Sequence, residues 1–234
     1  MDYYDALAAL GVESAHPGGF ELTKTWLNQL NMTEGQKVLE VGCGIGKTAC
    51  AISRLYPVHV TAVDIRKDMI EKAREKNGAC SQNVNFQVVA KHKLPFVSGE
   101  FDFVIAESVT VFNDVRKMLQ EYARVLRPGG RLLDVEMAAA APLAREVMQE
   151  FRSLYHAVEV PVISEWKQLA VQAGFNDVRI MLSGPVMTSL QTDIPAMSPA
   201  PGYKDGIAHI IAENQRVMNL YGKWLNFIIL TATK

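Results

Sequence analysis

The segment Val38-Leu39-Glu40-Val41-Gly42-Cys43-Gly44-Ile45-Gly46-Lys47-Thr48 constrains the fold more than any other part of the chain. Lys37–Val41 is apolar enough to be a strand buried on both faces. It runs into closely spaced glycines, and a helix follows from about Lys47 to Leu55. Such a loop lets the backbone approach a ligand with no Cβ in the way. Its spacing decides among ligand classes. A dinucleotide loop needs G-x-G-x-x-G, its third glycine packing helix on strand. Here Gly42, Gly44 and Gly46 make G-x-G-x-G, with Lys47 where that third glycine belongs. A phosphate loop needs G-x-x-x-x-G-K-[ST]. Gly46-Lys47-Thr48 imitates its tail, but Val41 occupies the place of the leading glycine.

Around this unit, strands and helices alternate. A helix is expected over Phe20–Leu30, with Leu22, Trp26, Leu27 and Leu30 at helical spacing. Strands are expected at Val58–Val63, Val84–Val89, Phe101–Ala106 and Arg131–Val135, with helices at Lys67–Asn77 and Asp114–Leu126. Arg127-Pro128-Gly129-Gly130 stops the second of these helices. The alternation predicts a parallel sheet with helices on both faces. Beyond Met137 the rhythm changes. Helices over Ala139–His156 and Ser164–Ala173 precede a strand at Val178–Leu182 and an irregular stretch from Ser183 to Tyr203. A helix over Asp205–Tyr221 and a strand at Trp224–Thr231 end the chain.

Asp64 closes the second strand about twenty residues after the glycines, where a carboxylate can accept bonds from ribose hydroxyls. Alone it would equally suit a helix cap before Arg66 and Lys67. Together, Glu40, the three glycines and Asp64 resemble the class I S-adenosylmethionine-dependent methyltransferases, whose first motif is an acidic residue, any residue, then G-x-G-x-G. Leu94-Pro95-Phe96, Phe101-Asp102-Phe103-Val104 and Arg124-Val125-Leu126-Arg127-Pro128-Gly129-Gly130 look like the family's later motifs. The chain is most similar to the group that includes the ubiquinone and menaquinone biosynthesis (type 11) methyltransferases. That group methylates many kinds of atom, so the resemblance names no acceptor.

The resemblance implies an α/β fold, Rossmann-like and doubly wound, with a mostly parallel seven-stranded sheet whose last strand is antiparallel. It implies S-adenosylmethionine as cofactor, S-adenosylhomocysteine as product and no metal. Glu40, Gly42, Cys43, Gly44 and Gly46 would form the cradle, Asp64 would bind the ribose, and Ile65 would lie against the adenine. Glu107, at the end of the fourth strand, would border the methionine part. One departure stands out. The family's aspartate for the adenine amino group falls at Ala90, which leaves a backbone contact at Lys91 or His92.

Methyl transfer is an in-line displacement, and a base is needed only when the acceptor must lose a proton. Candidates for such work are His16, in His16-Pro17-Gly18-Gly19, and Glu107. A turn leading into the first helix explains His16 equally well. The chain of 234 residues reads as a single domain over 1–234, with the rhythm-breaking segments 138–163 and 183–223 as substrate caps. Met187, Leu190, Ile194 and Met197 in the second cap suit an apolar acceptor pocket, with Asn214 as a polar contact on the helix that follows.

A net charge of −1, from 24 basic and 25 acidic residues, lacks the basic excess of a nucleic-acid binder. Glu107-Ser108-Val109-Thr110 also replaces the Asn/Asp-Pro-Pro-aromatic tetrad of nucleic-acid amino methyltransferases. The run Leu225–Leu230 is too short for a bilayer, and the N-terminus carries no secretory pattern. Three cysteines, Cys43, Cys50 and Cys80, without CxxC spacing, read as reduced thiols of a cytoplasmic protein. The expected partner is a small-molecule acceptor, with neither nucleic acid nor membrane, and a homodimer is compatible. Two other classes stay open: a module that binds S-adenosylmethionine without catalysis, and a nicotinamide-dependent oxidoreductase, which the glycine spacing disfavours.

Overall fold

The computed structural model describes residues 3–10, 12, 14–78, 80, 83–90, 93–186 and 204–234. Its strands are β1 (Lys37–Val41), β2 (His59–Asp64), β3 (Val84–Val88), β4 (Phe101–Glu107), β5 (Leu126–Ala139), β6 (Asn176–Pro185) and β7 (Leu225–Thr233). They form one sheet in the order β3-β2-β1-β4-β5-β7-β6. β1 to β5 pair in parallel, and β7 runs antiparallel between β5 and β6. The expected doubly wound, mostly parallel sheet with its antiparallel last strand is what the chain forms. The order reverses between β1 and β4, and ligands bind beyond the strand ends at such a point.

The helices are α1 (Tyr3–Ala9), α2 (Gly19–Leu27), α3 (Lys47–Leu55), α4 (Lys67–Lys76), α5 (Val115–Val125), α6 (Arg145–Tyr155), α7 (Ile163–Gln172) and α8 (Lys204–Tyr221). Alternate strand residues feed two cores. Val38, Phe103, Leu133 and Phe227 pack with Trp26, Ile52, Ile70 and Phe151 on one face. Leu39, Val104, Leu132 and Ile228 pack with Leu119, Tyr122 and Trp166 on the other. Burial on both faces explains why these strands read as continuous apolar runs. α5 starts where Asp114 Oδ1 accepts the Lys117 N–H at 3.2 Å, and it buries Val115, Met118, Leu119 and Tyr122.

Several boundaries differ from expectation. The helix α1 was not anticipated; Tyr3 and Leu7 join the first core, and Ala6 and Leu10 pack on Ile207 of α8. The Arg127–Gly130 segment is no mere turn, because Leu126 already pairs with Phe101. β5 then runs on to Ala139, so the helix expected from Ala139 begins at Arg145. Ser183–Pro185 belongs to β6, paired with Ile228, Phe227 and Asn226, rather than to a loop. The rest of the anticipated second cap, including Met187, Leu190, Ile194 and Met197, lies outside the described residues. So do Lys91 and His92. Cys50 and Cys80 were expected as reduced thiols, yet they form a disulfide with Cα atoms 5.8 Å apart, joining α3 to the chain after α4. Among the described residues, no helix is long and apolar enough to cross a membrane.

Candidate functional site

A cavity of about 720 Å³ opens at the carboxyl ends of β1, β2 and β4. Its floor is the glycine loop. The Gly42 and Cys43 N–H groups both donate to Val63 O, at 2.8 and 3.0 Å, which holds the loop against the end of β2. Gly42 has φ +71°, and a Cβ there would meet Val109 Cγ2 at 2.3 Å. Gly44 has φ +51°, with open space where its Cβ would be. Gly46 is not on the cavity wall. It is a glycine because a Cβ would meet the Phe86 ring at 2.5 Å, so its role in this fold is packing.

Glu40 and Asp64 face the cavity behind this loop. Glu40 is buried, and its Oε2 has no hydrogen-bond partner among the described residues. Burial holds its carboxyl well above the usual range, and the charges of Glu107 and Asp64 add to this against a bond from the Ala49 N–H. A buried, unpaired oxygen of this kind fits a cationic group such as an ammonium. Asp64 accepts the Gly44 N–H on Oδ2 at 2.9 Å and the Arg66 N–H on Oδ1 at 2.8 Å. Burial raises its pKa, and these two backbone bonds oppose the rise. Each carboxylate oxygen has a further lone pair, so two acceptor directions are left for hydroxyls. Ile65, 55% exposed, forms an apolar ledge beside it, and Ala90 lies on the same wall. The Cys43 thiol is pushed up by burial and by Glu40 and Asp64, so it is a wall rather than a nucleophile.

Glu107 is bonded through both carboxylate oxygens. Thr23 Oγ1 donates to its Oε1 at 2.6 Å, and Thr48 Oγ1 donates to its Oε2 at 2.7 Å. His16 Nε2 lies 3.3 Å from Oε1 and 3.2 Å from Thr23 Oγ1, while His16 Nδ1 lies 3.2 Å from Pro17 O. The two acid–base candidates thus meet, each engaged with protein groups. Sequence reading missed Thr23 and Thr48; for Thr48 the only signal was the phosphate-loop imitation, whose residues serve other ends. Lys47 Nζ sits 4.6 Å over the Phe20 ring.

The far end of the cavity is apolar and aromatic: Tyr4, Leu7, Leu10 and Val12 from the N-terminal segment, Phe112 after β4, and Tyr155 of α6. Tyr4 meets Phe112 edge-on with ring centroids 5.2 Å apart, and Tyr3 meets Tyr155 at 5.0 Å. Asn214 is behind this wall, where its Oδ1 accepts the Tyr155 hydroxyl at 2.7 Å. Arg66 ties α1 to the rim through Asp5 at 2.9 Å. Among the described residues, no group of three or more His, Cys, Asp or Glu side chains is arranged to hold a metal ion.

A family profile described as a methyltransferase domain matches residues 38–130. The chain is 30% identical over 237 residues to YodH, an uncharacterized methyltransferase of Bacillus subtilis (strain 168), covering 99% of each. It is 37% identical over 160 residues to O-methyltransferase rstn1 of Aspergillus nomiae, covering 66% of this chain and 70% of that one. Among solved structures, Haemonchus contortus phosphoethanolamine N-methyltransferase 2 in complex with S-adenosyl-L-methionine aligns with a TM-score of 0.76 and 19% identity. That alignment covers 99% of this chain and 56% of the longer one.

Proposed function

The chain belongs to the class I S-adenosylmethionine-dependent methyltransferases, and from that membership we propose that it methylates a hydroxyl of an apolar small molecule. The observation that carries this reading is the single cavity that joins the glycine loop and Asp64 to an aromatic end built by Tyr4, Phe112 and Tyr155. An acceptor in the aromatic end lies beside a cofactor on the glycine loop. The relatives named O-methyltransferases support a hydroxyl oxygen as the atom methylated.

The residues fit the cofactor. Asp64 has two acceptor directions for the ribose, Ile65 gives the adenine an apolar ledge, and Glu40 Oε2 can take the ammonium of the methionine part. Open space over Gly44 leaves room for close approach. Bound there, S-adenosylmethionine supplies a methyl group on a sulfonium. This chain's residues then have to orient the acceptor and exclude water. Such positioning can lower a barrier by roughly 7–11 kcal/mol. α1, α6 and α8 pack together over the aromatic end and act as the cap; Glu150 and Arg216 pair across the last two. Glu107, bonded by Thr23, Thr48 and His16, fixes the cavity floor, and we assign neither Glu107 nor His16 the role of base.

The test is a methyl-transfer assay with labelled S-adenosylmethionine against apolar phenols and alcohols, with phosphoethanolamine as a charged amine comparison. Label in an apolar hydroxyl compound supports the proposal. Turnover of phosphoethanolamine alone would overturn the acceptor class and keep the enzyme class.

A further inference from the structure

Glu136 of β5 does not line the cavity, and the reaction above makes no use of it. It is fully buried, yet one of its oxygens, Oε1, accepts two backbone N–H groups, those of Val109 at 2.6 Å and Thr110 at 2.5 Å. Two residues earlier on the same sheet face is Asp134, also fully buried. Its Oδ2 accepts the Thr110 hydroxyl at 2.9 Å, and that hydroxyl lies 3.2 Å from Tyr122 OH. Among the described residues, Asp134 Oδ1 and Glu136 Oε2 have no hydrogen-bond partner within normal geometry. The flanking strands bring Ala106, Ile228 and Leu230 to this face, α7 brings Trp166, and α5 brings Tyr122. Tyr122 is thus the one further ionisable group facing the pair among the described residues. Two carboxylates in such surroundings cannot both ionise at modest cost. Burial pushes Glu136 up to about 7, and burial with the Glu136 charge holds Asp134 well above its usual range.

What this pair holds is the turn after β4. Ser108, which opens it, has φ +54°, a left-handed backbone that a non-glycine residue adopts at a cost. Val109 packs on Gly42, and Phe112 and Asn113 line the cavity. Asn113 Nδ2 donates to Val109 O at 2.8 Å, and the Val158 N–H donates to Val111 O at 2.8 Å. The turn therefore touches the glycine loop, the acceptor end and the segment after α6 at once, and its Val109 and Thr110 N–H groups end on one buried carboxyl.

We propose that Glu136 is a positioning residue for methyl transfer, its carboxyl pinning the Val109–Asn113 turn between cofactor loop and acceptor, with closure of the turn coupled to proton occupancy of the Glu136–Asp134 pair. The direction follows from linkage. Opening the turn lets water reach Glu136 and returns it toward an ordinary carboxyl of 4.5, so the open state binds fewer protons than the closed one up to about pH 7. Opening is favoured as pH rises through that window and levels off above it.

Hydrogen exchange of the 108–113 backbone in ligand-free protein, corrected for intrinsic rates, tests this. Between pH 5 and pH 8 the opening equilibrium should rise by at least about tenfold. Glu136→Gln keeps an acceptor oxygen but cannot titrate, so it should stay protected with a weaker pH dependence, the part left to Asp134. Glu136→Leu strands both N–H groups and should lose protection at every pH. A flat profile in the unsubstituted protein, or the same pH dependence in Glu136→Gln, would overturn the proposal. The inference takes its acceptor side from the proposed function, but exchange is read without ligand. Failure to bind S-adenosylhomocysteine would therefore count against that function and leave the turn untouched.

Discussion

Adding one methyl group at Gly42 and, separately, at Gly44 distinguishes a glycine that the fold requires from one that a ligand requires. Both have left-handed φ, +71° and +51°, so alanine pays roughly 1–2 kcal/mol at either site. At Gly42 the new Cβ would also meet Val109 Cγ2 at 2.3 Å. Overpacking of that kind adds about 1–3 kcal/mol, since Val109 is held by Glu136 and cannot retreat freely. Gly42→Ala should therefore lose about 2–5 kcal/mol, a fall in Tm on the order of 10 °C for a chain of this size. At Gly44 the Cβ would meet no other described residue within 4 Å, so stability should fall only by the backbone cost, about 3–6 °C. The methyl group would instead project into the cavity, where the proposed function puts the cofactor, and S-adenosylhomocysteine affinity should then drop at least about tenfold, about 1.4 kcal/mol. Thermal unfolding and calorimetry on both variants read the two effects. Equal destabilisation of both would mean that Val109 yields to the Gly42 methyl, and unchanged affinity in Gly44→Ala would put the cofactor elsewhere.

Asp64→Ala should weaken S-adenosylhomocysteine binding by at least about tenfold, since a hydrogen bond to a charged group is worth about 1.5–3 kcal/mol; calorimetry on the folded variant checks it. Affinity for S-adenosylhomocysteine should rise with pH until Glu40 is ionised in the free protein, because an ammonium at Oε2 favours the carboxylate that burial opposes. Methylthioadenosine, which lacks the amino acid, should show no such rise, and Glu40→Gln should flatten it. Cys80→Ser should raise the unreduced protein's free-thiol count from one to two and cost about 3–4 kcal/mol, the loop entropy of a 30-residue separation; thiol titration and denaturant unfolding measure both.

The parallel sheet was legible because double burial leaves apolar runs at the central strands. That Glu40, Gly42, Gly44, Asp64 and Glu107 line one cavity was legible because each stands at or just past the end of a strand, and strand order brings those ends together. Gly46 misled: its spacing matches the cradle, but its reason is Phe86, forty residues away and invisible to a local pattern. The disulfide was hidden for the same reason, since only the packing of α3 beside the chain after α4 brings Cys50 to Cys80. α1 has one short apolar face that pairs with α8 far along the chain, so no local signal marks it. Glu136 gave no sign either. Its meaning lies in two backbone N–H groups of a turn whose position depends on the whole sheet.

On the proposed function, the glycine loop, Glu40 and Asp64 bind a nucleoside sulfonium and not a dinucleotide. Calorimetric titration of the purified protein with S-adenosylhomocysteine and, separately, NAD tests it most directly. The structure predicts saturable one-to-one binding of S-adenosylhomocysteine and no heat of binding with NAD. Saturable binding of NAD with no response to S-adenosylhomocysteine would contradict it.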